Sequence, residues 1–484
     1  MIPKPRHTAH VAVPLPVPVD PAEALERLRG LRCPWLLESA LENDDTGRFS
    51  FVGADPYAML QHRDGENAWL CHRAVYPGLR TGRTRVPGPT LDALRSVLPS
   101  APPDAPPYPF CGGAVGYFGY ELAEQLDVHR VQTIDDLALP EAQWLFVDAL
   151  VVFDHRQGTA EISALGFGDE RDPAERRARE AAARLARQLE APTSQRRAYA
   201  FGSSAGGRHS ALDLSRYHKA FHEVGDAIAA GELYQACLTY RIDRPFHGDP
   251  WDFYRTLREG DPAPFAAYLE LPGVTVAGNS PERFLRVDDE GRIESRPIKG
   301  TAPRGATPEE DTALGEGLLE SEKDRAENVM IVDLVRNDLG RVCEVGSVRV
   351  PHLFSIEPYG SVFQMVSTVT GQLRMECDAL HAVAAAFPPG SMTGAPKLAA
   401  MQLLDRLEDV RRGIYSGAIG YLDPRGHTDL SVVIRTAFFR EGRAYLHTGG
   451  GLVADSSAEQ EYAETRDKLR SLLAALYACD VETS

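Results

Sequence analysis

The segment RYHKAFHEVGDAIAAGELYQACLTYR, residues 216–241, changes its period halfway along, and that change decides the class of fold. Tyr217, Phe221, Val224 and Ile228 recur at i, i+4, i+7 and i+11, the spacing of one buried helical stripe, and Gly231 stops it. From Leu233 to Arg241 the period is two: Gln235, Cys237, Thr239 and Arg241 share one face, Tyr234, Ala236, Leu238 and Tyr240 the other. A helix runs directly into a strand.

The same alternation continues in both directions. Helix starts are signalled at Thr307-Pro308, where Glu310 completes a capping box, near Ser321, near Thr393, and at Ser457 with Gln460. Upstream, Val11–Val13, Phe49–Val52 and Trp144–Phe153 are short β-like runs, and the glycines of CGGAVGYFGYEL (111–122) lack phosphate-loop spacing and suit a closely packed strand. The expected class is α/β (α+β), a large sheet with helices packed on it. At roughly 150 residues per domain, the 484 residues amount to about three units or one large intertwined core. The Pro-rich stretch 99–109 reads as an exposed extended connection. A helix from Asp172-Pro173 to Glu190 then gives way to Ser/Gly-rich sequence, which predicts an N-terminal region 1–195, a flexible linker 196–211 and a catalytic region 212–484.

Composition narrows the partners. With 52 Lys+Arg against 69 Asp+Glu the net charge is −17, and no basic cluster offers a footprint for nucleic acid or an anionic membrane. Seven scattered cysteines without a C-x-x-C pair suit a reducing cytoplasm and give no zinc site. The proline-broken first twenty residues are unlike a signal peptide, and the longest apolar run, 144–153, contains Asp148 and is too short to span a bilayer. A cytoplasmic protein acting on a small molecule is expected.

Two helices present carboxylates at matching spacing. Asp324, Glu327 and Asn328 lie at i, i+3 and i+4, and Glu461 and Glu464 at i, i+3 with Lys468 one turn on. Carboxylates from separate helices suffice for a hard cation such as Mg²⁺; the same spacing is also the ordinary look of a solvated helix face. Three glycine-containing stretches read as loops able to hold an anion: GSMTGAPK (390–397), HTGGGL (447–452) and RPIKGT (296–301), which carries Lys299; each is equally a structural turn. Arg435, a lone cation in the apolar run SVVIRTAFF, calls for a buried anion, either a substrate carboxylate or an internal acid.

Taken in order, GELYQACLTYR, GNSPERF, RPIKGT, EKDRAENVMIVDLVRNDLGR, FPPGSMTGAPK, YSGAIGYL, LSVVIRT, HTGGGLVADS and EQEYAETRDK resemble the chorismate-utilising enzymes, the family of the anthranilate, aminodeoxychorismate, isochorismate and salicylate synthases. The likeness is dense over about residues 212–470. LLES (36–39) and GRFSFVG (47–53) extend it towards the N-terminal part of the aminating branches. It implies two subdomains whose antiparallel-rich sheets form a sandwich flanked by helices.

The resemblance also implies roles. Glu327, Glu461 and Glu464 would hold Mg²⁺ against the ring carboxylate of chorismate; Tyr415, Arg435, Lys468 and the backbone of Gly449, Gly450 and Gly451 would bind its two carboxylates, with Thr301 beside them. Glu282 of the SPE motif resembles the general acid for the departing C4 hydroxyl and needs a raised pKa. Gln235 stands where water-using members have Lys, which points to ammonia as nucleophile. PIKGT, in place of PIAGT, resembles the aminodeoxychorismate branch, in which this Lys attacks C2 and needs a lowered pKa; Asn328 agrees with it. Gln364 replaces a His tied to pyruvate elimination. The expected reaction is therefore Mg²⁺-dependent amination of chorismate to 4-amino-4-deoxychorismate, with anthranilate or 2-amino-2-deoxyisochorismate as the alternative products. A silent binding homologue would lack one of the three glutamates. No G-x-C-x-G elbow is present, so a separate glutamine amidotransferase subunit is the expected source of ammonia.

Overall fold

The apolar run 144–153 folds as two strands, Ala142–Val147 and Ala149–Asp154, because Asp148 interrupts it. The buried Asp148 carboxylate is gripped by Arg73, at 2.7 and 3.0 Å, and by Arg184, at 3.0 Å, which hold it below the usual carboxylate range against the cost of burial. In this computed structural model, residues 2–480 are described except 16–19, 41–45, 105, 127–128, 192–213 and 361. The expected linker 196–211 lies outside the described residues.

Two large sheets organise the described chain, one of 11 strands and one of 12, and every strand pair within them is antiparallel. The first sheet runs His7–Pro14, Thr159–Gly168, Ala149–Asp154, Phe49–Gly53 and Trp35–Glu38, then continues through Phe265–Leu271 and Val274–Ser280 to Arg443–Leu452 and Gln235–Pro245. Its first five strands come from the N-terminal stretch and the rest from the C-terminal stretch. They join where Trp35–Glu38 pairs with Phe265–Leu271. The second sheet has one such join, between Gly113–Phe118 and Ala418–Leu422. Each sheet is thus shared by the two parts of the chain.

Alternation explains the apolar strands. Trp35, Phe51 and Val152 turn into the core shared with the second sheet, while Leu36, Val52 and Val151 pack beneath helices Pro21–Leu28, Arg171–Glu190, Pro250–Gly260 and Ala458–Cys479. The glycine-rich stretch at 111–122 contains the strand Gly113–Phe118, and a Cβ on Gly116 would run into the Gln143 carbonyl. The Pro-rich connection is only partly exposed, since Pro102 and Tyr108 are buried.

Several local signals match the structure. The Tyr217 stripe lies on helix Leu214–Ala229, Gly231 follows at φ 75°, and strand Gln235–Pro245 comes next. Thr307, Ser321 and Ser457 cap the helices Pro308–Glu320, Glu322–Gly340 and Ala458–Cys479. The start expected near Thr393 is displaced. Gly390–Met392 is a single 3₁₀ turn, Gly394–Ala395 pairs with Gln235 and Ala236, and the helix begins at Lys397. The ammonium of Lys397 is occupied by Asp338 and by the Ala386 and Pro388 carbonyls, so this stretch is an anchor for the Gln235 strand. No described helix is long and apolar enough to cross a membrane, and no disulfide is formed among the described residues.

Candidate active site

At one end of the first sheet, Gly449–Gly451 lie inside the strand Arg443–Leu452, not in a loop, with Gly449 opposite Thr239, Gly450 opposite Leu238 and Gly451 opposite Cys237. The Cys237 amide donates to Thr393 O at 2.8 Å, so that residue faces away from the glycines. Antiparallel alternation then turns the Gly449 and Gly451 amides to the opposite edge. The neighbouring strand Thr436–Arg440 stops pairing at Leu446, so that edge is open beside both amides. Lys468 donates to Gly449 O at 3.0 Å and pairs with Glu464 at 2.8 Å.

Two side chains converge on Gly451. A Cβ placed there would lie 2.6 Å from Lys299 Nζ and 2.9 Å from Gln235 Nε2. Gln235 is 0% exposed, and neither its Oε1 nor its Nε2 has a hydrogen-bond partner among the described residues. An orphaned amide at that depth is costly unless something else meets it. Lys299 lies in the strand Ile298–Pro303, again not in a loop. Burial pushes its ammonium down, but Glu327, with Nζ to Oε2 at 4.0 Å, and then Cys237, Glu282 and Glu464 hold it above the usual lysine value. The lowered pKa expected of a nucleophile is absent here because three carboxylates surround the amine.

Glu282 is buried next to the strand Arg283–Val287. Burial drives its carboxyl up to about 7, against the opposing pull of Ser391, Lys299 and the Ile298 backbone. Such a group carries a proton near neutrality.

Glu327 and Glu461, from two helices, are both buried, and Lys323 sits between them: its Nζ is 3.1 Å from Glu461 Oε1 and 3.9 Å from Glu327 Oε1. Ser456 also donates to Glu461 Oε1 at 2.7 Å. Glu464, 52% exposed, turns to Lys468. The three glutamates do not close to within 4.8 Å of one another; the described residues that do are Asp288, Asp289 and Glu290 on a surface turn, where Arg292 pairs with Asp288 and Glu290. All donors at Glu327, Glu461 and Glu464 are hard carboxylate oxygens, and an ammonium already bridges two of them. This donor set fits Mg²⁺.

Around this centre, Tyr415 is buried with its ring stacked on His447, centroids 4.7 Å apart. Burial, Arg241 and Arg412 keep that imidazole neutral by pushing its pKa well down. Arg435 is not inside a strand. It forms the break between Thr428–Val432 and Thr436–Arg440 at φ 47°, with Nη1 3.7 Å from Asp261. Both readings of Arg435 therefore have a physical basis, since the distance exceeds a hydrogen bond. Thr301 is exposed, opposite Gln364 in strand register. Asn328 is fully buried: Nδ2 donates to Met365 O at 3.3 Å and Oδ1 accepts from Ser367 at 2.5 Å, so it clamps the Glu327 helix to the Gln364 strand.

Lys323, Ser456 and Arg412 were not singled out by sequence reasoning. Arg412 is buried, bonded to Glu408, Cys237 O and Met392 O, and lies over the Tyr120 ring at 4.6 Å. Lys323 and Arg412 each carried a local signal, the i, i+4 spacing to Glu327 and to Glu408.

A family model for chorismate binding enzymes matches residues 37–474. The aminodeoxychorismate synthase of Streptomyces pristinaespiralis is 45% identical over 454 residues, covering 91% of this chain, which spans 61% of that relative's length. Anthranilate synthase component 1 of Mycolicibacterium smegmatis is 38% identical over 457 residues, covering 92% of this chain and 86% of its own. Among solved structures, anthranilate synthase component I from Streptococcus pneumoniae superposes with a TM-score of 0.74 at 29% identity, covering 89% of this chain and 93% of its own.

Proposed function

The chain belongs to the family of chorismate binding enzymes, and from that membership we propose that it aminates chorismate with ammonia, giving 4-amino-4-deoxychorismate and water. The observation that carries this reading is the convergence of Lys299 Nζ and Gln235 Nε2 on Gly451. A backbone position without a side chain leaves room for a flat ring, with an amine at one of its carbons. The Gln235 amide beside it cannot take a proton from water.

In this reading Tyr415, Arg435, Lys468 and the amides of Gly449–Gly451 receive the two substrate carboxylates, with Thr301 beside them. Glu327, Glu461 and Glu464 hold Mg²⁺, which when bound supplies charge neutralisation at the ring carboxylate. Lys299, once deprotonated, attacks C2 as the C4–O bond breaks, and Glu282 gives its proton to the leaving oxygen, which departs as water. Ammonia then forms the C4–N bond as the C2–N bond to Lys299 breaks. The surplus proton on the new amine returns to Glu282. Ammonia comes from a glutamine amidotransferase subunit; that the Mycolicibacterium smegmatis relative is a "component 1" supports a second component.

Mass spectrometry of the product from chorismate, Mg²⁺ and an ammonium salt tests the reading. The expected product is 4-amino-4-deoxychorismate without pyruvate, and glutamine is unused until a glutaminase subunit is added. Anthranilate plus pyruvate, or 2-amino-2-deoxyisochorismate, as the major product overturns it.

A further inference from the structure

Lys323 stands on the first turn of helix Glu322–Gly340, one turn before Glu327, and reaches across to the helix that carries Glu461. Its ammonium therefore lies between one carboxylate oxygen from each of two helices. It is not locked in place, because the side chain is 42% exposed and, among the described residues, its hydrogen bond is to Glu461 alone. Lys299 faces the other oxygen of Glu327, and Lys468 faces Glu464. Each of the three glutamates thus has its own ammonium counter-ion. Lys299 is buried over Gly451, and Lys468, although nearly as exposed as Lys323, is also bound to Gly449 O, whereas the described residues give Lys323 no such backbone anchor.

We propose that Lys323 is a displaceable counter-ion: it holds Glu327 and Glu461 together while no metal is bound, and it swings into solvent when a divalent cation takes those oxygens. This inference rests on the reading of Glu327 and Glu461 as metal ligands. The physical reason is exclusion. A Mg²⁺ ion bonds carboxylate oxygen at about 2.0–2.1 Å, and an ammonium hydrogen-bonded to the same oxygens would sit within a few ångströms of it, like charge against like charge. Two buried carboxylates without a cation would repel each other and be stranded from water. A built-in cation removes that penalty but must be displaced, so it lowers metal affinity while it keeps the site shaped.

Calorimetric titration of the whole chain with Mg²⁺, with and without chorismate, and melting curves with and without Mg²⁺ test this. Lys323→Met should tighten Mg²⁺ binding by about tenfold, the effect of removing one competing unit charge at close range. It should also lower the melting temperature of the metal-free protein and enlarge the upward shift on adding Mg²⁺. Lys323→Arg should bind Mg²⁺ as the wild type does. Glu461→Gln should abolish binding in both backgrounds. If wild type binds Mg²⁺, Glu461→Gln does not, and Lys323→Met binds equally or more weakly, the counter-ion proposal falls and the ligand reading stands. If no variant binds Mg²⁺ under either condition, both fall.

Discussion

Gln364 lies opposite Thr301 across two antiparallel strands, 1% exposed and with its Oε1 lacking a hydrogen-bond partner among the described residues, and the register of the pair shifts between Ile298 and Thr301, the stretch that holds Lys299. Asn328 fixes the next residue, Met365, by a hydrogen bond to its carbonyl. The strand that carries this amide is therefore tied to the helix that carries Glu327. An amide gives up and accepts protons poorly, so Gln364 is ill suited to serve as the proton-transfer group of an elimination.

Lys299→Ala should lose C4 amination by at least about 10²-fold, the scale on which covalent or acid–base groups act. C2-substituted products should appear without efficient release of pyruvate, as read by product mass spectrometry. A wild-type peptide containing Lys299 with a mass increment after incubation without ammonia would report the covalent route directly. Unchanged C4 amination in the alanine variant refutes it.

Glu282 gives a pH signature. Its carboxyl is raised to about 7, so it holds a proton below that pH and loses it above. With rates expressed per free NH₃, activity should rise about tenfold per unit below pH 7 as more of the Lys299 amine is free, and level off above pH 7, where that gain is matched by loss of the Glu282 proton. Glu282→Gln should be slower by about 10²–10⁴-fold and lack this break, its rate still rising through pH 7.

Gly451→Ala should impair catalysis far more than stability. The added methyl meets Lys299 Nζ at 2.6 Å and Gln235 Nε2 at 2.9 Å, both far ends of side chains, so they must move. A displacement of about 1 Å at reacting groups can cost about 10²-fold in rate. A normal melting curve with a kcat/KM lower by about that factor is expected; wild-type kinetics would place the substrate elsewhere.

Asp148→Ala should destabilise the fold by about 3 kcal/mol, since it leaves Arg73 and Arg184 facing an emptied, buried anion site. Asp333→Ala, which removes the exposed pair with Arg336, should change stability by under about 0.5 kcal/mol. Urea unfolding of the two variants side by side measures the contrast.

Local signals were the legible ones. Thr307, Ser321 and Ser457 announce their helices because a cap depends on residues three positions apart. The period change at Gly231 is equally local. HTGGGL and IKGT read as loops because glycine permits loops, yet partner strands distant in sequence set them as β-structure. Arg435 read as a residue within a strand because its neighbours are apolar, whereas the left-handed backbone there ends one strand before the next begins. Asn328 read as a marker of the reaction branch; its buried bonds to Met365 and Ser367 depend on packing that no spacing rule encodes.

The single join in each sheet bears on how the chain acquires its shape during synthesis. When residues 1–190 have left the ribosome, Trp35–Glu38 and Gly113–Phe118 are already available, but their partners, Phe265–Leu271 and Ala418–Leu422, are not yet made. The second partner arrives about 300 residues after Phe118, roughly 15–60 s later at about 5–20 residues per second. Until Phe265–Leu271 is made two apolar strand edges stand open, and the Gly113–Phe118 edge stays open to the end of the interval; Trp35 on the first and Val115 and Tyr117 on the second are all fully buried once folding is complete. The nascent N-terminal part is thus a natural client for chaperones, and a truncated product ending there would be prone to self-association through those same edges.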